Sequence, residues 1–175
     1  LSRWMLKNLK EWDKDNILTI LNLIKSNEYT FIDCGCNYGA YSIPIAKMRP
    51  EINVYAFDAS KKIIIRLKEN INLNNISNIN IFNFGIADKI DYINFDDNLR
   101  NFKNSGSYRF VKKANNNLNR VKVYSLDELV NENKIELKKN IIIKLDIEGF
   151  EFKALRGMVK ILENNNVFIL FEFSK

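Results

Sequence analysis

The stretch Phe31 to Lys47, FIDCGCNYGAYSIPIAK, constrains this chain more than any other. An apolar run ends in Asp33, a loop with Gly35 and Gly39 follows, and a helix-like segment starts near Tyr41. Strand, glycine turn and helix in that order place backbone N–H groups and a carboxylate at the carboxyl end of a strand. That is where open α/β sheets bind nucleotide-like ligands. Glycine is needed there because a Cβ would keep the backbone off the ligand and because the turn can demand positive φ.

The spacing of the loop narrows the choice. The pattern is D-x-G-x-N-x-G, with the two glycines four apart and Ala40 after the second. The dinucleotide fingerprint G-x-G-x-x-G is not met, which argues against a nicotinamide oxidoreductase. The loop resembles motif I of the class I S-adenosylmethionine-dependent methyltransferases. Taken alone, it also fits a purely structural turn in some other α/β domain.

A chain of 175 residues fits one domain, and at that size roughly 70% of the unfolded surface can be buried. The formal net charge is +6. The Lys and Arg residues are scattered, so a solvated surface explains them, although a basic surface also favours acidic partners such as nucleic acid or anionic lipid. Heavy use of Asn, Ile and Lys reads as a codon-composition bias that inflates the charge. The two cysteines, Cys34 and Cys36, are too close in sequence to bridge without strain and read as reduced thiols. There is no His, so a His base and His metal ligands are excluded. No apolar run reaches the roughly 18 residues of a membrane span and no signal-peptide pattern is visible. The expectation is a cytoplasmic protein without a transmembrane segment.

Residues 1–27 read as an N-terminal helical arm and residues 28–175 as the main domain. Trp4, Leu6, Leu9 and Trp12 suggest an amphipathic segment, and Asp13 or Asp15 can cap a second helix carrying Ile17, Ile20, Leu21 and Ile24. The second strand is Asn53 to Asp58. A helix from about Ser60 to Asn74 turns Ile63, Ile64, Leu67 and Ile71 inward, and a third strand covers about Ile79 to Phe84. This β-α-β-α-β series predicts a parallel, doubly wound sheet. Tyr92 to Phe95 reads as a short strand, and Tyr108 to Lys112 and Val121 to Ser125 as a hairpin. Ser125 and Glu128 form a capping-box pattern. Ile141 to Asp146 is a strand, a single helix runs from Gly149-Phe150 to about Leu162, and Val167 to Phe173 is the last strand.

Two sets of acids carry chemistry. Asp58 ends the second strand nineteen residues after Gly39, where a carboxylate can accept hydrogen bonds from ribose hydroxyls. A plain helix N-terminal acid is the alternative. Asp146 and Glu148, in KLDIEGFE, stand at the end of the fourth parallel strand, beside the first loop. An acidic loop capping the next helix is the alternative there, and Glu151 fits that role best.

FIDCGCNYGAYS, YAFDAS, VYSLDEL, KLDIEGFEFKALRG and FILFEF occur in an order and spacing that resemble the FkbM family of methyltransferases, from about Glu28 to the end. The resemblance implies an α/β, Rossmann-like class I methyltransferase fold: a mostly parallel sheet with helices on both faces, here without the last two strands. It implies S-adenosyl-L-methionine as cofactor and O-methylation of a hydroxyl on a sugar, glycan or small-molecule natural product. Position by position, Asp33, Gly35, Cys36, Asn37, Gly39 and Ser42 fall on the cofactor loop. Asp58 and Ala59 fall on the ribose-binding segment, Asn83, Gly85 and Ile86 on the segment beside the adenine, and Asp146 and Glu148 on the D-x-E motif near the reacting centre, where Asp146 also belongs to the cofactor-binding set. Many relatives carry Glu then Pro where this chain has Asp58-Ala59.

With no His, Asp146 or Glu148 is the expected general base and Lys144 a weaker candidate. No metal is expected, although the two acids could hold an oxygen-ligated ion such as Mg²⁺. Asn98 to Tyr108 is the expected substrate-side loop. A sheet ending at its fifth parallel strand leaves an apolar edge, which implies truncation, cover by the N-terminal arm, or a homo-oligomer. A nucleic-acid methyltransferase and a non-catalytic cofactor-binding scaffold are the rival readings. An amino-group base methylase would usually carry N/D-P-P-Y/F where LDIEG stands.

Overall fold

Alternating apolar strands and amphipathic helices of the kind just described bury both faces of a parallel sheet. The computed structural model describes residues 13–95 and 119–171. In chain order the elements are α1 (Lys14–Leu23), β1 (Tyr29–Cys34), α2 (Ser42–Met48), β2 (Asn53–Phe57), α3 (Lys61–Leu73), β3 (Ile79–Phe82), β4 (Gly85–Ile86) and β5 (Asp91–Phe95). After the undescribed stretch come β6 (Asn119–Tyr124), α4 (Leu126–Asn131), β7 (Asn140–Leu145), α5 (Glu151–Arg156), α6 (Val159–Asn164) and β8 (Asn166–Phe171). The main sheet has the order β3-β2-β1-β7-β8, and all four neighbouring pairs are parallel. The chain therefore has the α/β, Rossmann-like architecture, with its strand order reversing beside β1.

Period-two alternation divides the sheet into two cores. Ile32, Cys34, Ile141, Ile143 and Leu145 pack with Leu126, Leu129, Ala154 and Ile161 of α4, α5 and α6. Phe31, Val54 and Ile142 face the other way, against Ile17 and Ile20 of α1 and Ile45 of α2. Ile64, Leu67 and Ile71 of α3 extend that second face over Ala56. Each such fully buried aliphatic or aromatic side chain stabilises the fold by roughly 1.5–3 kcal/mol. Ser60 caps α3, its hydroxyl accepting from the Ile63 N–H, and Ser125 with Glu128 closes the expected capping box on α4.

Several expectations change. The segment 121–125 does not take its described pairing from a hairpin with 108–112, which lies outside the described residues. Instead β6 runs antiparallel to β5 and parallel to β4. The third strand stops at Phe82 because the Asn83 amide turns back to donate to the Asp58 and Ala59 carbonyls, at 3.0 and 3.1 Å. The helix expected up to Leu162 is two helices broken at Gly157. A Cβ there would stand 2.1 Å from the Ala87 carbonyl oxygen, and the Gly157 carbonyl accepts from Asp127 N–H at 2.9 Å. Asp13 occupies the N-cap of α1, yet its carboxylate makes no cap bond. The arm around Trp4 to Trp12 and the loop Asn98 to Tyr108 lie outside the described residues. Among those described, β8 is an edge strand with Phe168 and Phe171 about half exposed, and no helix is long and apolar enough to cross a membrane.

Candidate active site

The carboxyl ends of β1, β2 and β7 meet at one place. Gly35, at φ +79°, leaves β1 there, and a Cβ on it would lie 1.9 Å from the carbonyl oxygen of Asp146. Only glycine lets the first loop pass so close to the end of β7. Gly39, at φ +90°, packs where a Cβ would strike the side chains of Ile43 and Leu67 at 2.7 Å. The loop is pinned to β2: Gly35 and Cys36 N–H both donate to the Phe57 carbonyl, at 2.9 and 3.0 Å. The Asn37 N–H, in a positive-φ residue, donates to Asp58 Oδ2 at 3.2 Å. Tyr38 N–H bonds Asn37 Oδ1 and Gly39 N–H bonds the Cys36 carbonyl. The loop's N–H groups from Gly35 to Gly39 are thus spent on its own closure, where the sequence had led us to expect them turned toward a ligand.

Asp58 lies partly buried at the end of β2, and its carboxylate ties two loops together. Besides Asn37, it accepts from Ser60 N–H at 2.8 Å. Its aim is toward the glycine loop, as the ribose-binding reading requires. Both carboxylate oxygens thus accept from backbone N–H groups, Oδ2 from Asn37 and Oδ1 from Ser60. Ala59 is half-buried beside it, Asn83 clasps the turn from the β3 side, and Gly85 and Ile86 are buried behind.

On the α2 face, alternation brings Asp33 and Lys144 opposite each other in the β1–β7 register. Both are buried. Asp33 Oδ2 accepts from the Ser42 hydroxyl at 2.5 Å. Among the described residues, Asp33 Oδ1 is the one fully enclosed side-chain polar atom with no hydrogen-bond partner. Burial pushes the Asp33 carboxyl above the usual range, outweighing the pull of Lys144 and of the Ser42 bond. The Lys144 ammonium donates to Asp146 Oδ2 at 2.9 Å. Burial by itself would lower its pKa, but Asp33 and Asp146 outweigh that and hold it above the usual lysine value. Lys144 is therefore a fixed cation and is poorly suited to act as a base.

The structure adds residues that the sequence reading did not place. The Lys144 ammonium lies 4.9 Å from the centre of the Tyr41 ring, a cation–π arrangement. The Tyr41 hydroxyl in turn donates to Asp13 at the start of α1. Nothing in the sequence links residues 13 and 41, because the contact depends on how α1 packs. Beyond Asp146 the chain turns through Glu148 at φ 51° and Gly149 at φ 96°. Glu151 clamps that turn, accepting from Ile147 N–H at 3.1 Å and from Gly149 N–H at 2.9 Å. Glu151 thus ties the turn together and does not cap the helix as expected, the N-cap being Phe150 with no side-chain cap bond. Glu148 is exposed on the turn, and Asp146 is half-open with 39% of its side chain accessible. Cys34 and Cys36 are free and buried, and burial raises both thiols, so neither is a nucleophile.

The parallel β3-β2-β1-β7-β8 sheet with a glycine-shaped loop at the tip of β1 is a Rossmann-like arrangement. The sequence profile of the FkbM methyltransferase domain matches residues 33–175, and the chain belongs to that family. Its cofactor is S-adenosyl-L-methionine. Among solved structures, the chain is similar to a candidate rRNA methylase from Clostridium thermocellum. Identity is 11%, the TM-score is 0.53, and 93% of this chain covers 69% of that one. An Aquifex aeolicus SAM-dependent methyltransferase has 13% identity and a TM-score of 0.49 over 100% of this chain and 77% of that one. A candidate methyltransferase from Streptococcus mutans in complex with SAH has 15% identity and a TM-score of 0.47, with 86% and 67% covered. At such identities the first likeness speaks for the fold alone. No curated protein sequence matches the chain.

The residues fit that cofactor. Asp58, half-buried at the tip of β2, is an acceptor suited to a diol, whereas Asp33 Oδ1 is enclosed by the protein itself.

Proposed function

We propose that this protein transfers a methyl group to a hydroxyl oxygen of a sugar, glycan or small-molecule natural product, with Asp146 as general base. Asp33, Gly35, Cys36, Asn37, Gly39 and Ser42 would form the floor of the cofactor site. Asp58 and Ala59 would take its ribose, and Asn83, Gly85 and Ile86 would flank its adenine. When bound, S-adenosylmethionine supplies an electrophilic methyl group carried on a sulfonium. What this chain must add is alignment, with the acceptor oxygen about 3–3.5 Å from the methyl carbon, and a place for the acceptor's proton.

The observation that carries this reading is the Lys144–Asp146 pair at the tip of β7, beside the glycine loop. Lys144 engages Asp146 Oδ2 and orients the carboxylate. Oδ1 is the oxygen that would receive the hydroxyl proton. Glu148, on the strained turn two residues on, would hold a second hydroxyl of the acceptor. For Asp146→Asn we expect transfer to fall by at least about 100-fold, while S-adenosylhomocysteine binds as before. The assay is release of S-adenosylhomocysteine over a panel of glycans and hydroxylated small molecules. Wild-type turnover by the variant would refute the assignment of the base.

A further inference from the structure

The small sheet β4-β6-β5 stands apart from the strand-tip site and has its own surface chemistry. Alternation on β6 puts Val121 and Val123 on one face and Arg120, Lys122 and Tyr124 on the other, where Arg120 is exposed, Lys122 half-buried and the Tyr124 ring buried beneath them. In the antiparallel register Tyr92 lies opposite Lys122 and Asn94 opposite Arg120, so Tyr92 shares the face of the cations. Tyr92 is 53% exposed, and the Arg120 guanidinium sits 5.5 Å from the centre of its ring. Lys122 and Lys134 flank Tyr124, at 4.4 and 4.2 Å from the ring centre, and both bond its hydroxyl. Lys134 also pairs with Glu132. Among the described residues neither Arg120 nor Lys122 has a carboxylate partner.

Behind this face a row of core aromatics runs back to the tip of β2. The Tyr124 ring lies 4.5 Å from that of Phe84, which lies 5.7 Å from Phe57. Phe57 immediately precedes Asp58. We propose that the β5–β6 face docks single-stranded RNA, with phosphates meeting Arg120, Lys122 and Lys134 and a base stacking on Tyr92. Cations interleaved with an open aromatic ring on a sheet are the combination that binds single strands. A membrane surface would call for apolar side chains where Arg120 and Lys122 stand. An acidic polysaccharide would satisfy the cations but offer no planar base to the Tyr92–Arg120 shelf. The overall charge of +6 favours a polyanion of any kind. The inference concerns docking and does not depend on which hydroxyl is methylated.

The test is fluorescence anisotropy with a labelled oligoadenylate of about 12 nucleotides. We expect saturable binding that weakens with salt. Arg120→Gln with Lys122→Gln should weaken it at least about tenfold and flatten the log–log salt slope by about 1.4. Tyr92→Ala should weaken it about fivefold with the slope intact, and an abasic oligonucleotide should bind wild type as weakly. S-adenosylhomocysteine affinity, unchanged in each variant, reports that the fold is retained. If the double variant loses that affinity, Tyr92→Ala alone decides. No saturable binding, wild-type affinity in the variants, or tighter binding of polygalacturonate or phosphatidylserine vesicles at equal charge overturns the proposal.

Discussion

The two faces of the central β1–β7 pair share one hydrogen-bond ladder and have opposite chemistry. On one, Ile32, Cys34, Ile143 and Leu145 meet α4, α5 and α6 in an all-apolar layer. On the other, the register that aligns Phe31 with Ile142 goes on to align Asp33 with Lys144, and the alternation then reaches Asp146. Buried charge is costly unless paired, and here three charges share one short stretch at the strand tips. The difference teaches that one ladder can carry an all-apolar layer on one side and a paired set of charges on the other.

The largest effect should come from joining the two loops badly. Gly35→Ala places a Cβ against the Asp146 carbonyl in a left-handed backbone, and we expect a loss of more than about 4 kcal/mol by urea denaturation. Leu145→Ala probes the apolar face and should cost about 3 kcal/mol, equally at pH 5 and pH 8. Lys144→Met probes the polar face and should cost about 2–3 kcal/mol at pH 8. Its cost should shrink in acid, where Asp33, whose carboxyl burial raises, takes up a proton. A pH-independent Lys144→Met penalty would erase the contrast between the faces.

Asp33→Asn sharpens it further. The folded state raises the Asp33 carboxyl, so this group's contribution is complete in acid and is lost as pH rises through its folded value. The stability of wild type relative to Asp33→Asn should therefore decline from about pH 4 upward, measured by chemical denaturation. Lys144, raised above the usual lysine value, loses its contribution only in strong alkali. The smallest effect belongs to Tyr41→Phe, which removes the bond to Asp13 and should cost about 1 kcal/mol in thermal unfolding.

Much of this was legible in the chain. The glycine spacing, Asp58, the capping box and the acids after β7 are local signals, and local signals survive folding. Alternation also told which strand residues share a face. What was not legible depends on long-range approach. Gly157 reads as a tolerable glycine in a helix until Ala87 is seen pressing on it. The partners of β6 could not be read because it pairs on both sides, with β4 and with β5, and no distinctive turn announces either pairing. Lys144 reads as a possible base from sequence, since only the neighbouring strand supplies the Asp33 that fixes its charge. The Asp13–Tyr41 contact has no sequence signature.

The central claim is that the cofactor lies across the tips of β1 and β2, with its ribose on Asp58. Isothermal titration of S-adenosylhomocysteine into wild type and Asp58→Asn tests it most directly. The account predicts an affinity loss of at least about tenfold, with the folded circular-dichroism spectrum retained. Equal affinity in the two proteins would contradict it.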